Sequence, residues 1–247
     1  MPKICLSPST QDWNPYITGS GSEEYNMNLL ADALEPYLRS NAITWVRNTP
    51  DMTAASSIRQ ANSIGGFDFY LALHSNASGA GNEGNTRGII AFYYPTSALG
   101  REAAEIFAAN LREVYPLPNL VRTQSTTSLG EVRQPQAPAN LIEIGYHDNY
   151  ADALWIESSR EQIAQALGRG LTEFFGLPFI YPQPARTGLI ATAGTQLRLR
   201  DYPGTEGRVV AMLPNGAAVT VYGEWQGWYV VHYNGSVGYA AAAYIEV

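Results

Sequence analysis

Between residues 4 and 175 the chain alternates two hydrophobic patterns. Short, nearly unbroken apolar runs fall at 4–6, 44–46, 69–73, 89–94 and 141–144. Between and after them, the stretches 22–40, 54–63, 98–115 and 151–175 return an apolar residue every three to four positions. The runs have the length and make-up of buried strands, and the longer stretches have the period of amphipathic helices. Strands separated by helices predict an α/β domain built on a largely parallel sheet flanked by helices. The pattern breaks at Pro178, Pro182 and Pro184, which suit neither a helix interior nor an internal strand. Beyond them only short runs recur, at 196–200, 208–213, 218–224, 228–233 and 237–240. Tyr202-Pro203-Gly204, Pro214-Asn215-Gly216 and Tyr233-Asn234-Gly235 separate several of these runs. Such turns tie together small all-β barrels. The expected organisation is an α/β domain over 1–177, a stiff linker over 178–185 and a small β-barrel over 186–247.

Composition narrows the function classes. With 45% hydrophobic and 15% charged residues in 247, the chain carries enough apolar material for a real core. A net charge of −7 and a pI near 5.0 exclude a broad basic surface, so nucleic acid is not an expected partner. No stretch reaches the ~20 consecutive apolar residues of a membrane span, and the first residues lack the apolar core of an export signal. The single cysteine, Cys5, lies inside the first apolar run and reads as a small buried residue.

Candidate chemistry gathers where apolar runs end, because open α/β sheets place reactive groups at the carboxyl ends of their strands. In the stretch 22–40 the apolar stripe is Met27, Leu30, Ala31, Leu34 and Leu38. Glu23 lies one turn before Met27 on that stripe, while Glu24 is turned toward solvent. An inward carboxylate at a helix start needs a partner, a metal being one; the alternative is an ordinary acidic first turn. His74 directly follows the run 69–73 and is either a ligand or a hydrogen-bonded structural histidine. Glu143 interrupts the run 141–144, where an ionised carboxylate is costly without a partner, so it is a general-base candidate or half of a buried ion pair.

His74-Ser75-Asn76-Ala77 after a strand, the helix-start Glu23, and Glu143-Ile144-Gly145-Tyr146 followed by Asn149 together resemble the zinc-dependent N-acetylmuramoyl-L-alanine amidases over about residues 3–176. The resemblance implies cleavage of the amide between muramic acid and L-alanine in peptidoglycan by zinc-activated water. It also implies Glu23 and His74 as metal ligands and Glu143 as the catalytic glutamate. The family's first ligand is a histidine after the first strand, where this chain has Ser7-Pro8-Ser9-Thr10-Gln11. His147 is the expected replacement, Gln11 the second choice, and loss of the metal and its activity the third. Residues 186–247 resemble bacterial SH3-like modules through Leu197-Arg198-Leu199-Arg200, Gly227-Trp228-Tyr229 and Gly238-Tyr239, which implies peptidoglycan binding and action outside the cell or at its wall. Trp13, Tyr16, Tyr93 and Tyr94 either line a sugar cleft or pack. A non-catalytic wall-binding protein and a stem-peptide metallopeptidase are the competing readings.

Overall fold

A computed structural model describes residues 1–247. Contacts divide the chain into two units, one of Lys3–Glu35 and Trp45–Phe174, the other of Met1–Pro2, Pro36–Thr44 and Phe175–Val247.

The first unit holds a six-stranded sheet: β1 (Lys3–Pro8), β2 (Thr44–Arg47), β3 (Phe69–Asn76), β4 (Ile89–Tyr93), β5 (Val121–Ser125) and β6 (Ala139–Tyr146), in the order β2-β1-β3-β6-β4-β5. β1 with β3, β3 with β6, and β4 with β5 are parallel, whereas β4 runs antiparallel to β6. The sheet is therefore mixed. Helices α1 (Glu23–Ser40), α2 (Ala54–Ile64), α3 (Ala98–Arg112), α4 (Gly130–Arg133), α5 (Tyr150–Ser158) and α6 (Arg160–Phe174) complete the unit, with the end of α1 passing into the second. The stretch expected as one helix over 151–175 is two, because the backbone leaves helical geometry at Ser159 (φ −114°, ψ 20°).

Strand alternation decides what the site faces. Cys5, Tyr70, Ala72, Ala139 and Leu141 point to one side and pack with Ile58 and Ala61 of α2 and Val132 of α4. Phe69 points to the other side, against Phe107 of α3 and Phe174 of α6. Continuing the period of two, Ser7, His74 and Glu143 fall on the α2/α4 side, at the carboxyl ends of β1, β3 and β6. The parallel register sets His74 opposite Glu143 and slips immediately afterwards, so Asn76 faces Tyr146. Gly145 sits in that irregularity with φ +73°, and an added Cβ would lie 3.2 Å from Ile156 Cδ1 and 3.3 Å from Asp152 Cβ.

The second unit is an all-antiparallel sheet of β7 (Arg186–Ile190), β8 (Leu197–Arg200), β9 (Val209–Leu213), β10 (Ala218–Trp225), β11 (Trp228–Tyr233), β12 (Ser236–Ala241) and β13 (Ile245–Glu246). Their order is β13-β7-β10-β11-β12-β8-β9. Leu199, Leu213, Val221 and Val231 form its core. The proline-rich segment belongs to this unit by contact: Ile180 is buried, its N–H donates to Asn41 Oδ1 at 2.6 Å, and its carbonyl accepts from Asn41 Nδ2 at 3.0 Å.

Candidate active site

Glu23 opens α1 and is buried beside the fully buried Met27, Leu30 and Leu34, as the helical phase requires. Its Oε1 lies 2.9 Å from His74 Nδ1, and its Oε2 accepts from Asn14 Nδ2 at 2.8 Å. His74 Nε2 is engaged as well, 3.0 Å from Glu131 Oε2. Glu131, on the four-residue α4, is 4% exposed, and its other oxygen accepts from Ser7 Oγ at 2.6 Å and Tyr70 Oη at 2.8 Å. The imidazole is thus held between two carboxylates, each with hydroxyl or amide donors of its own.

Electrostatics follow from that sandwich. Burial disfavours a charged imidazole, yet the hydrogen bonds it donates to Glu131 and Glu23 outweigh it and raise His74 well above the usual histidine value. Burial likewise works against ionised Glu23 and Glu131, and the bonds to His74 overcome it, holding both carboxyls below the ordinary range. Glu143 has no such compensation. Burial pushes its carboxyl up to about 7, with the charges of Glu23 and Glu131 adding to the rise and that of His74 opposing it. Its Oε2 is buried with no hydrogen-bond partner.

Glu143, His74 and Glu131 line one cleft of about 330 Å³ together with Thr10, Gln11 and Trp13. Trp13 is largely exposed at this cleft, whereas Tyr16 is buried and Tyr94 packs against the α2/α4 core, so of the four aromatic candidates only Trp13 joins the lining. Gln11 reaches the edge of the array, its Nε2 3.5 Å from His74 Nδ1.

His147 goes elsewhere. Its Nδ1 lies 2.8 Å from the Ser75 carbonyl oxygen, and its ring stacks on Tyr16 with centroids 5.7 Å apart. The structure thus brings Glu23, His74 and Glu143 to one place and does not bring His147 to them as a third ligand. Glu131 is not legible in the sequence, because a four-residue helix carries no readable period; the one trace is an acid set between Leu129 and Val132.

Zinc can be tested against these donors. A ligating imidazole presents a bare ring nitrogen, and a zinc site needs three or four N, O or S donors converging on one point. His74 Nδ1 and Glu23 could offer two donors, with Glu131 as the outer carboxylate on Nε2, but the third is missing: His147 is engaged at Ser75, and no group of three His, Cys, Asp or Glu side chains could hold a metal. The residues present do not fit a zinc ion.

Residues 4–173 match the family model of N-acetylmuramoyl-L-alanine amidase, and residues 195–246 match that of the bacterial SH3 domain. The chain belongs to the N-acetylmuramoyl-L-alanine amidase family, enzymes that hydrolyse peptidoglycan, and carries an SH3 domain after the amidase region. Among solved structures it resembles the amidase AmiC2 of Nostoc punctiforme, with a TM-score of 0.62 at 15% identity over 71% of this chain and 97% of that one. The catalytic domain of CwlV, an amidase from Bacillus (Paenibacillus) polymyxa var. colistinus, gives 0.61 at 18% identity over 71% and 99%. The catalytic domain of the CD27L endolysin targeting Clostridia difficile gives 0.54 at 22% identity over 70% and 98%. No curated protein matches the chain. No helix is long and apolar enough to cross a membrane.

Proposed function

We propose that this cleft hydrolyses the amide between N-acetylmuramic acid and L-alanine, with Glu143 acting first as general base and then as general acid. The observation that carries this reading is the buried, unpartnered Oε2 of Glu143 in a cleft open to substrate. Water attacks the carbonyl carbon and gives a proton to Glu143. The new C–O bond forms, the C–N bond breaks, and Glu143 returns the proton to the departing nitrogen. The second water proton, left on the new carboxyl group, passes to the amine, so the products are a lactyl carboxylate and the free L-alanine amino terminus as an ammonium. A carboxyl near 7 is poised for both transfers at neutral pH.

In this reading His74 and Glu131 form a fixed wall of the cleft, the buried Glu23 holds the imidazole at Nδ1, and His147 holds the Ser75 carbonyl. Thr10 and Gln11 supply neutral donors toward the carbonyl oxygen from the same cleft. The zinc set expected from the sequence has no part in these steps, since its third donor, His147, is engaged at Ser75 and does not join Glu23 and His74. The SH3 domain raises the local concentration of enzyme on the insoluble wall, and the place of action is extracellular or wall-associated.

The same lack of metal donors favours one other reading, a wall-binding protein that does not cut. Digestion of purified walls separates the two. Release of new L-alanine amino termini without new reducing sugar ends, abolished in Glu143→Gln, is the expected outcome. Wall binding without release would overturn the hydrolytic reading, and new termini within the stem peptide would place the cut elsewhere.

A further inference from the structure

Ser7 and Glu131 carry a consequence for the metal chemistry of the site. On β1 the small Ser7 lies on the same side of the sheet as His74 and Glu143, and the carboxylate of Glu131 reaches it from α4. Glu131 Oε1 is the shared acceptor of two hydroxyls, Ser7 and Tyr70, and Tyr70 Oη also lies 3.0 Å from Ser7 Oγ. Its Oε2 takes the remaining ring nitrogen of His74. On the other side of the ring, Glu23 is fixed by Asn14 and by the Ser75 backbone N–H at 3.4 Å.

For His74 to ligate a metal, one ring nitrogen must lose its proton. If Nε2 is freed, Glu131 stays buried with only its hydroxyl donors. If Nδ1 is freed, Glu23 itself must be the co-ligand, yet the third position has no imidazole: Ser9 and Gln11 occupy the turn, and His147 is committed to Ser75. Each route trades charge-assisted bonds for an incomplete coordination shell.

We propose that Glu131 is a positioning residue that takes the part of the metal, clamping His74 from the side opposite Glu23, and that this chain holds no zinc at the site. The inference concerns the cleft of the proposed hydrolysis, and its first measurement stands whether or not that hydrolysis is observed.

The test begins with the full wild-type chain, so it does not depend on any variant folding. After equilibration with zinc sulfate and gel filtration, elemental analysis is expected to find well under about 0.1 zinc per chain, and added zinc leaves the melting temperature unchanged. About one zinc per chain overturns the proposal. The second readout is the imidazole nitrogen spectrum of protein labelled at its three histidines. Two N–H groups are expected on His74, and in Glu131→Gln the Nε2 proton moves upfield while the Nδ1 proton stays. A bare nitrogen on His74 in the wild type overturns the clamp. Absence of zinc together with absence of wall cleavage sinks the hydrolytic reading and leaves the clamp intact, whereas bound zinc with intact cleavage does the reverse.

Discussion

Asp152 is a fully buried acid of the amidase region and Glu143 a half-buried one whose Oε2 is enclosed, and their surroundings are opposite. Asp152, on α5, is saturated: Arg87 Nε and Tyr115 Oη donate at 2.7 Å each, and the backbone N–H groups of Gly88 and Tyr146 donate at 3.1 and 3.2 Å. Glu143 leaves one oxygen without a donor. A carboxylate whose lone pairs are all taken is a structural tie, because any change of protonation would cost several bonds at once. One that is desolvated and left open has its proton affinity raised and its oxygen free for water or substrate. Of these two acids, only the one left unsatisfied is open to proton chemistry.

The largest expected effect that tests this contrast is at Glu143. Glu143→Gln should lower the release of L-alanine termini by about 10²- to 10⁴-fold, the usual weight of a general base, without lowering the free energy of unfolding. A variant that cut walls normally would leave Glu143 with no chemical role. Asp152→Ala should do the converse and cost about 3–5 kcal/mol in denaturant unfolding, because it strands Arg87, Tyr115 and two backbone donors, with activity per folded molecule retained.

The next effect is a pH dependence. An acid raised from 4.5 to about 7 in the folded state binds more protons there than in the unfolded chain. Its contribution is fully present below about pH 4.5 and is lost as pH rises through about 7, by on the order of 3 kcal/mol. Subtracting the stability–pH curve of Glu143→Gln from that of the wild type should isolate this fall; parallel curves would mean that the carboxyl titrates normally. The smallest effect is at Gly145. Gly145→Ala should cost about 1–2 kcal/mol from the positive φ and the approach to Ile156 and Asp152, read as a shift in the denaturant midpoint at constant slope.

Much of this site is legible in the sequence. The phase of Met27, Leu30 and Leu34 turned Glu23 inward, and the end of an apolar run marked His74. Both signals are local, since each depends only on the period of one element. What escaped was the polar edge strand β5, which has no apolar alternation, and the brief α4 that carries Glu131. The antiparallel entry of β4 beside β6 was also out of reach, since strand direction depends on how the chain returns after the loop that follows β3. His147 was expected at the metal from its nearness to Glu143 in the chain. Four residues and the slipped register beyond His74 carry it instead to Ser75 and Tyr16.

The sequence by itself determined the α/β class, the all-β region after the prolines, the inward face of Glu23 and the candidacy of His74 and Glu143, because periodicity and strand ends are properties of short stretches. Only the tertiary structure decided which groups share the cleft. It set Glu131 against the far nitrogen of His74, removed His147 from the set, saturated Asp152 and left Glu143 open. Those outcomes depend on distances between residues 50 to more than 120 positions apart, such as Ser7 and Glu131, and packing alone fixes such distances.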